Sequence, residues 1–385
     1  MKKIALLRGA NLNKWEMQNY EPLSRYYDLV GFTSTKSHFD TNSISFPVVR
    51  LKSIEEKIGW VPVYGGMASR NAGGKKYFPD LLKWLKNYDL VHTAETFNEY
   101  SLQAIESKRK NKDQKVVVTV WENIPFLHED NKKRKEIKRR VCGVADAFIA
   151  ITDRAKKALL LEGVPENKIH VIPMGIDINT FKPEKKNNRL MKDLGISSKD
   201  FLIVSIGRLE YEKGFSQAIT AVKLLINETK HNNIKLLIVG NGPEKENLMK
   251  LIRSLRLTDN VLIKDNIPYQ DIPKVHNLAD IFILLSLPLP GWQEQFGMVF
   301  IEAMACGKPV ISTLSGSIPE VIGNTGVLVQ PADFMSAYQA MLKLYKSGKL
   351  RASLSRKARK RAEQIFDSKK VAMKIRKVYK DLLDR

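Results

Sequence analysis

Short apolar runs alternate with longer amphipathic stretches along the whole chain. In the first half the runs fall at residues 4–7, 29–32, 90–92, 116–120 and 147–151. In the second half they fall at 201–206, 236–239, 261–264, 281–285 and 310–312. Strands spaced by helix-length segments predict an α/β chain with parallel sheets. Two doubly wound units follow, joined near residues 180–188, where Pro183 and the run Lys185-Lys186-Asn187-Asn188 predict a linker. The tail from 367 to 385 predicts a basic helix with Val371, Met373, Ile375, Val378 and Leu382 on an apolar side. No internal repeat is visible.

The segment from Glu294 to Pro309 carries the most chemistry. Val299, Phe300, Ala303 and Met304 recur at helical spacing, Gly307 suits a left-handed cap, and Pro309 forbids continuation. Gly297 near the helix start allows close backbone approach to a ligand, and the free N–H groups there favour an anion. Glu294 precedes the helix, while Glu302, with seven residues between the two, lies about two turns in. A carboxylate so placed can hold vicinal hydroxyls with both oxygens. Taken alone, the stretch also fits an amphipathic helix with two solvated glutamates.

Three glycine-bearing turns frame this segment. The run 201–206 ends in Gly207 and leads to Arg208 and Lys213, two cations at a strand's carboxyl end that suit a diphosphate. Local pairing with Glu210 and Glu212 would explain the same charges. The run 236–239 ends in Gly240-Asn241-Gly242-Pro243, and 310–312 leads to Leu314-Ser315-Gly316-Ser317. Each turn is weak evidence by itself, because sharp strand-to-helix turns need glycine anyway.

In this order, the elements resemble the retaining nucleotide-sugar glycosyltransferases of family 4, with Ile172-Pro173-Met174-Gly175-Ile176-Asp177 near the domain junction as a further match. The resemblance implies the GT-B fold, two Rossmann-like domains facing a central cleft. It implies an acceptor-side domain at 1–181, a nucleotide-sugar donor domain at 182–362, and a last helix, about 363–385, packing back on the first. It also implies that Arg208 and Lys213 hold the donor diphosphate, with Glu294 on the donor sugar as the third catalytic residue. Glu302 would bind the ribose hydroxyls, the Phe296, Gly297 and Met298 amides would assist, and Ile267 would meet the base through main chain. Gly9, Gly207, Gly240 and Gly316 would let backbone approach the donor. No metal or cofactor is implied.

The first half departs from the family pattern. Gly9 stands alone after the first strand, and the histidine expected after 116–120 is replaced by Trp121-Glu122-Asn123. Glu122, and secondarily His92, are the candidates for a sugar or acceptor contact. Gly65-Gly66 and Gly73-Gly74 bracket a loop, with Arg70 inside it and Lys75 directly after it available to an anionic acceptor.

Composition adds bounds. A chain of 385 residues exceeds what one core usually supports, and 43% hydrophobic residues suffice for two. Only four apolar residues precede Arg8, too few for a signal peptide, and no run is long enough to span a membrane. Cys142 and Cys306 lie in different halves, which points to a reducing cytoplasm and leaves zinc unsupported. The net charge is +23, and in the first half cations cluster at Lys108, Arg109, Lys110 and Lys112 and at Lys132, Lys133, Arg134, Lys135, Lys138, Arg139 and Arg140. Such clusters suit docking on an anionic inner membrane face and hence a lipid, lipid-linked or glycan acceptor; a solvated helix face is the plainer account. A basic nucleic-acid-binding protein leaves the glutamates and cations above unexplained. A dehydrogenase lacks its Gly-x-Gly-x-x-Gly. A sugar phosphorylase or epimerase of the same fold shares the phosphate contacts. UDP-sugars and GDP-mannose are the expected donors.

Overall fold

The structure is a computed structural model that describes residues 1–58, 77–265 and 267–384. The expected loop, with Arg70 inside it and Lys75 directly after it, lies outside the described residues. The chain forms two compact units, Met1–Gly175 with Ser368–Arg385, and Ile176–Asp367.

The first unit holds a seven-stranded parallel sheet of β1 (Lys3–Leu7), β2 (Asp28–Ser34), β3 (Val48–Leu51), β4 (Leu90–Ala94), β5 (Lys115–Val120), β6 (Ala147–Ala150) and β7 (Ile169–Val171). Their spatial order is β3-β2-β1-β4-β5-β6-β7. Successive residues serve opposite faces. Ala5, Leu7, Val91, Val116 and Val118 enter one core, and Ile4, Leu6, Leu90 and Val117 the other, so the strands read as continuous apolar runs.

The final helix, Ser368–Leu383, covers the second of these faces with Val371, Ala372, Ile375, Val378 and Tyr379. Met373, expected on the apolar side, is 39% exposed. It falls outside the stripe that residues 371, 375, 378 and 382 trace at helical spacing.

The second unit holds a six-stranded parallel sheet of β8 (Phe201–Ile206), β9 (Ile234–Val239), β10 (Val261–Lys264), β11 (Ile281–Leu284), β12 (Val310–Thr313) and β13 (Val327–Val329). Their order is β10-β9-β8-β11-β12-β13. All ten expected strands are present. The three not anticipated, β3, β7 and β13, are edge strands of three or four residues.

The expected linker near 180–188 is instead fastened to the second unit, and the chain passes between units at Gly175–Ile176. Phe181 is buried against Tyr269 and His276. Asn277 Nδ2 donates to Lys182 O at 2.9 Å, Glu184 N–H donates to Asn277 Oδ1 at 3.0 Å, and Lys186 pairs with Asp280. Asn187 caps the helix Asn188–Asp193 by accepting from Leu190 N–H.

Candidate functional site

In the second sheet β8 and β11 are neighbours, yet the chain leaves β8 toward β9 on one side and β11 toward β12 on the other. Open α/β sheets take their ligands outside the carboxyl ends of the strands at such a switch point.

Lys213 and Glu294 meet there. Lys213 ends the 3-10 turn Tyr211–Lys213 after β8, closed by Gly214 at φ 67°. A Cβ at position 214 would stand 1.9 Å from Leu285 O, so only glycine lets the turn lie against the end of β11. Leu287 N–H donates to Glu212 O at 2.7 Å and locks the same contact. Lys213 Nζ then donates to Glu294 Oε2 at 2.8 Å and lies 4.8 Å from the centroid of the Trp292 ring. Ser286 Oγ donates to the same carboxylate oxygen at 2.8 Å.

Glu294 is 6% exposed and is gripped from the other side by the loop after β12. Ser317 N–H donates to Glu294 O at 2.9 Å, and a Cβ on Gly316 (φ 53°) would stand 2.1 Å from that oxygen. A buried carboxylate with a lysine and a hydroxyl on one oxygen is fixed in direction.

Arg208 behaves differently. Its side chain is 67% exposed, with Glu210 at 3.5 Å as its ionic neighbour. The expected local pairing is therefore loose at Arg208, and Lys213 pairs with Glu294 rather than with Glu212.

Glu302 is the fifth residue of the helix Met298–Ala305, nearer its start than the expected two turns, and is 5% exposed. Oε1 accepts from Tyr269 Oη at 3.1 Å, and His276 Nε2 lies 3.5 Å from Oε2. Both oxygens thus already face protein groups. Gly297 caps this helix at φ 80°, Met298 begins it, and the Phe296 ring is buried against Phe366. Gly207 and Gly240 bring the loops after β8 and β9 together, with Gly207 N–H donating to Val239 O at 3.0 Å. Ile267 is half-buried at the end of β10.

In the first unit, two expectations meet a structural answer. His92 lies on a central strand, fully buried, with Nδ1 2.5 Å from Tyr379 Oη and Nε2 2.7 Å from Thr119 Oγ1. Burial, and then the Arg8 guanidinium, hold its pKa well below the ordinary histidine value. It is a neutral packing group, not a sugar contact, because both ring nitrogens are spent within the fold. Gly9, at φ 56°, has the Tyr100 ring where a Cβ would go, 2.7 Å away, so packing accounts for the glycine. Glu122 is 9% exposed, and its Oε1 accepts from Asn123 and Ile124 N–H at 2.9 Å each, holding its own loop.

The basic clusters are largely neutralised in place. Lys133 pairs with Glu99, Lys135 with Glu129, Lys138 with Glu162, Arg139 with Glu136, Arg140 with Glu106 and Lys108 with Asp146. Lys138 is 4% exposed and cannot face a membrane. Arg109, Lys110, Lys112 and Lys132 remain exposed without an ion pair among the described residues. No described helix is long and apolar enough to cross a membrane.

Sequence reasoning missed Ser286, Trp292, Tyr269 and His276. Trp292 beside Gly291, two residues before Glu294, was the one local signal; the other three are set by tertiary contact.

Residues 186–361 match the family model described as Glycosyl transferases group 1, and residues 52–180 that of Glycosyltransferase Family 4. N-acetyl-alpha-D-glucosaminyl L-malate synthase of Bacillus anthracis is 31% identical over 197 residues, 51% of this chain and 49% of that protein. D-inositol 3-phosphate glycosyltransferase of Corynebacterium jeikeium is 29% identical over 269 residues, 66% of this chain and 62% of that protein. The matches thus span 49% and 62% of these curated relatives' own length. The crystal structure of Anabaena HepE in complex with UDP superposes with a TM-score of 0.81 at 19% identity, covering 99% of this chain and 100% of that one. Two glycosyltransferase family models thus match successive parts of the chain, and its two parallel-sheet α/β units have the two-domain, Rossmann-like GT-B fold.

Proposed function

We propose that the protein is a retaining family 4 glycosyltransferase that moves a hexosyl group from a UDP-sugar or GDP-mannose to a lipid, lipid-linked or glycan hydroxyl. The observation that carries this reading is the Lys213–Glu294–Ser286 cluster at the switch point of the second sheet. As the sugar departs, negative charge grows on the diphosphate. Lys213 and Arg208 oppose that charge, while Glu294, held in direction by Lys213 and Ser286, meets the sugar. Glu302, with Tyr269 beside it, holds the ribose hydroxyls. UDP stands first among the nucleotides because HepE is described as a UDP complex. Peripheral docking on an anionic membrane would use Arg109, Lys110, Lys112 and Lys132. Flotation with anionic liposomes, lost at high salt, is the expected behaviour; no flotation removes that part of the proposal.

Thermal stabilisation by UDP, GDP, ADP and CMP tests the central claim. Ligand at 100 times its dissociation constant adds about 2.7 kcal/mol. One diphosphate raises the melting temperature, and Arg208→Ala, altering an exposed side chain, reduces that shift while leaving the unliganded melting point close to wild type. A shift by nucleic acid with none by any nucleotide would favour the basic binding-protein reading. Sugar release from the donor with no acceptor required would favour a phosphorylase or epimerase.

A further inference from the structure

The first sheet also has a switch point, between β1 and β4, and Glu95 is the first residue after β4. Its backbone has φ 63°, a left-handed conformation uncommon for any residue but glycine. The fold holds that conformation from two directions. Glu95 N–H donates to Thr119 O at 2.8 Å, and Glu95 Oε1 accepts from Trp121 N–H at 2.9 Å. Oε2 is left buried with no hydrogen-bond partner among the described residues.

Asn98, three residues on in the same loop, repeats the pattern. It is 4% exposed, its Nδ2 donates to Ala94 O and Tyr100 Oη, and its Oδ1 is buried and unpartnered among the described residues. Buried polar atoms are normally satisfied, and strained backbone that the surroundings over-determine clusters where ligands bind. Two orphaned oxygens in one loop at a switch point are what a polyhydroxylated ligand would complete.

We propose that Glu95 and Asn98 form an acceptor-sugar subsite in the first unit, with Glu95 Oε2 bonding an acceptor hydroxyl. The word acceptor rests on the transferase reading; the subsite rests on this unit alone. Glu95 therefore takes the role that Glu122 was expected to fill, since Glu122 Oε1 is committed to its own loop. Burial, and then the neighbouring Glu122 carboxylate, push the Glu95 carboxyl up to about 8, against the Trp121 and Glu122 N–H groups and Lys138; Tyr100 also faces it. Because Oε1 accepts from an N–H, the proton sits on Oε2, which donates to a sugar oxygen at neutral pH.

Ligand-observed NMR titration of the full chain with D-glucose, D-mannose, N-acetyl-D-glucosamine and myo-inositol tests this, with UDP and GDP melting shifts measured in parallel. At least one sugar binds wild type, and Glu95→Ala weakens it by about tenfold or more. Wild-type affinity falls as pH rises through about 8, where the proton is lost. Glu95→Gln keeps an acceptor for Trp121 N–H, so it folds, and its sugar binding is independent of pH. No sugar binding to wild type, unchanged binding in Glu95→Ala, or a Glu95→Gln profile that still follows pH would overturn the subsite. Sugar binding that depends on Glu95, with no nucleotide shift in wild type, would keep the subsite and sink the transferase reading.

Discussion

At the residue scale, the pair Lys213–Glu294 carries both a structural and a chemical load, and the two can be separated. Removing Lys213 leaves a carboxylate that is 6% exposed without its cation, while Ser286 still donates to it. Breaking a buried pair from one side costs about 3–5 kcal/mol, and removing both charges costs much less. Lys213→Met is therefore expected to lower both melting temperature and turnover, the latter by about 10²–10³ if the lysine opposes developing charge. The double variant Lys213→Met with Glu294→Gln should recover most of the stability and none of the turnover. Recovery of both in the double variant would reduce the pair to a structural device. The spacing of Glu294 and Glu302 and the position of Lys213 were legible from sequence because they sit on local signals: a glycine turn, a helix period, a proline stop. Ser286, Tyr269, His276 and Glu95 were not, because what singles them out is a contact or a φ angle formed only by distant segments. Ser286 reaches Glu294 because β11 ends beside the turn that follows β8.

At the element scale, the site is placed by turns that only glycine can make. Gly214 and Gly316 each pack against carbonyl oxygens of another loop, Leu285 O and Glu294 O. Alanine at either position meets backbone that cannot swing aside, and does so at positive φ. Gly214→Ala is expected to destabilise by more than ~1 kcal/mol and, by lifting the turn from the end of β11, to weaken diphosphate binding along with it. Urea unfolding with a nucleotide titration checks both; full nucleotide affinity in a destabilised Gly214→Ala protein would show that the turn does not position Lys213. Strands follow the same division between local and distant causes. Interior strands such as 201–206 are apolar on both faces and stand out in the sequence. The edge strands Val48–Leu51, Ile169–Val171 and Val327–Val329 are too short to do so, and Arg50 and His170 interrupt two of them.

At the scale of the whole molecule, the first unit is discontinuous: the chain leaves it at Gly175 and returns only at Ser368. Its second core is then closed by Val371, Ala372, Ile375, Val378 and Tyr379, and the Tyr379 hydroxyl meets His92 Nδ1 on a central strand. This unit cannot complete its core until the chain has been made as far as Tyr379. A chain ending at Asp367 would bare the face formed by Ile4, Leu6, Leu90 and Val117 and leave the His92 ring unpartnered at Nδ1. Calorimetry is expected to show the first unit's cooperative transition lost in that truncated chain, with strong binding of a hydrophobic dye. Graded versions should follow the same order: Ile375→Ala costs about 2–5 kcal/mol for the cavity, and Tyr379→Phe about 1–3 kcal/mol for the unsatisfied histidine. An unaltered transition in the truncated chain would mean that the helix Ser368–Leu383 covers this face without stabilising it.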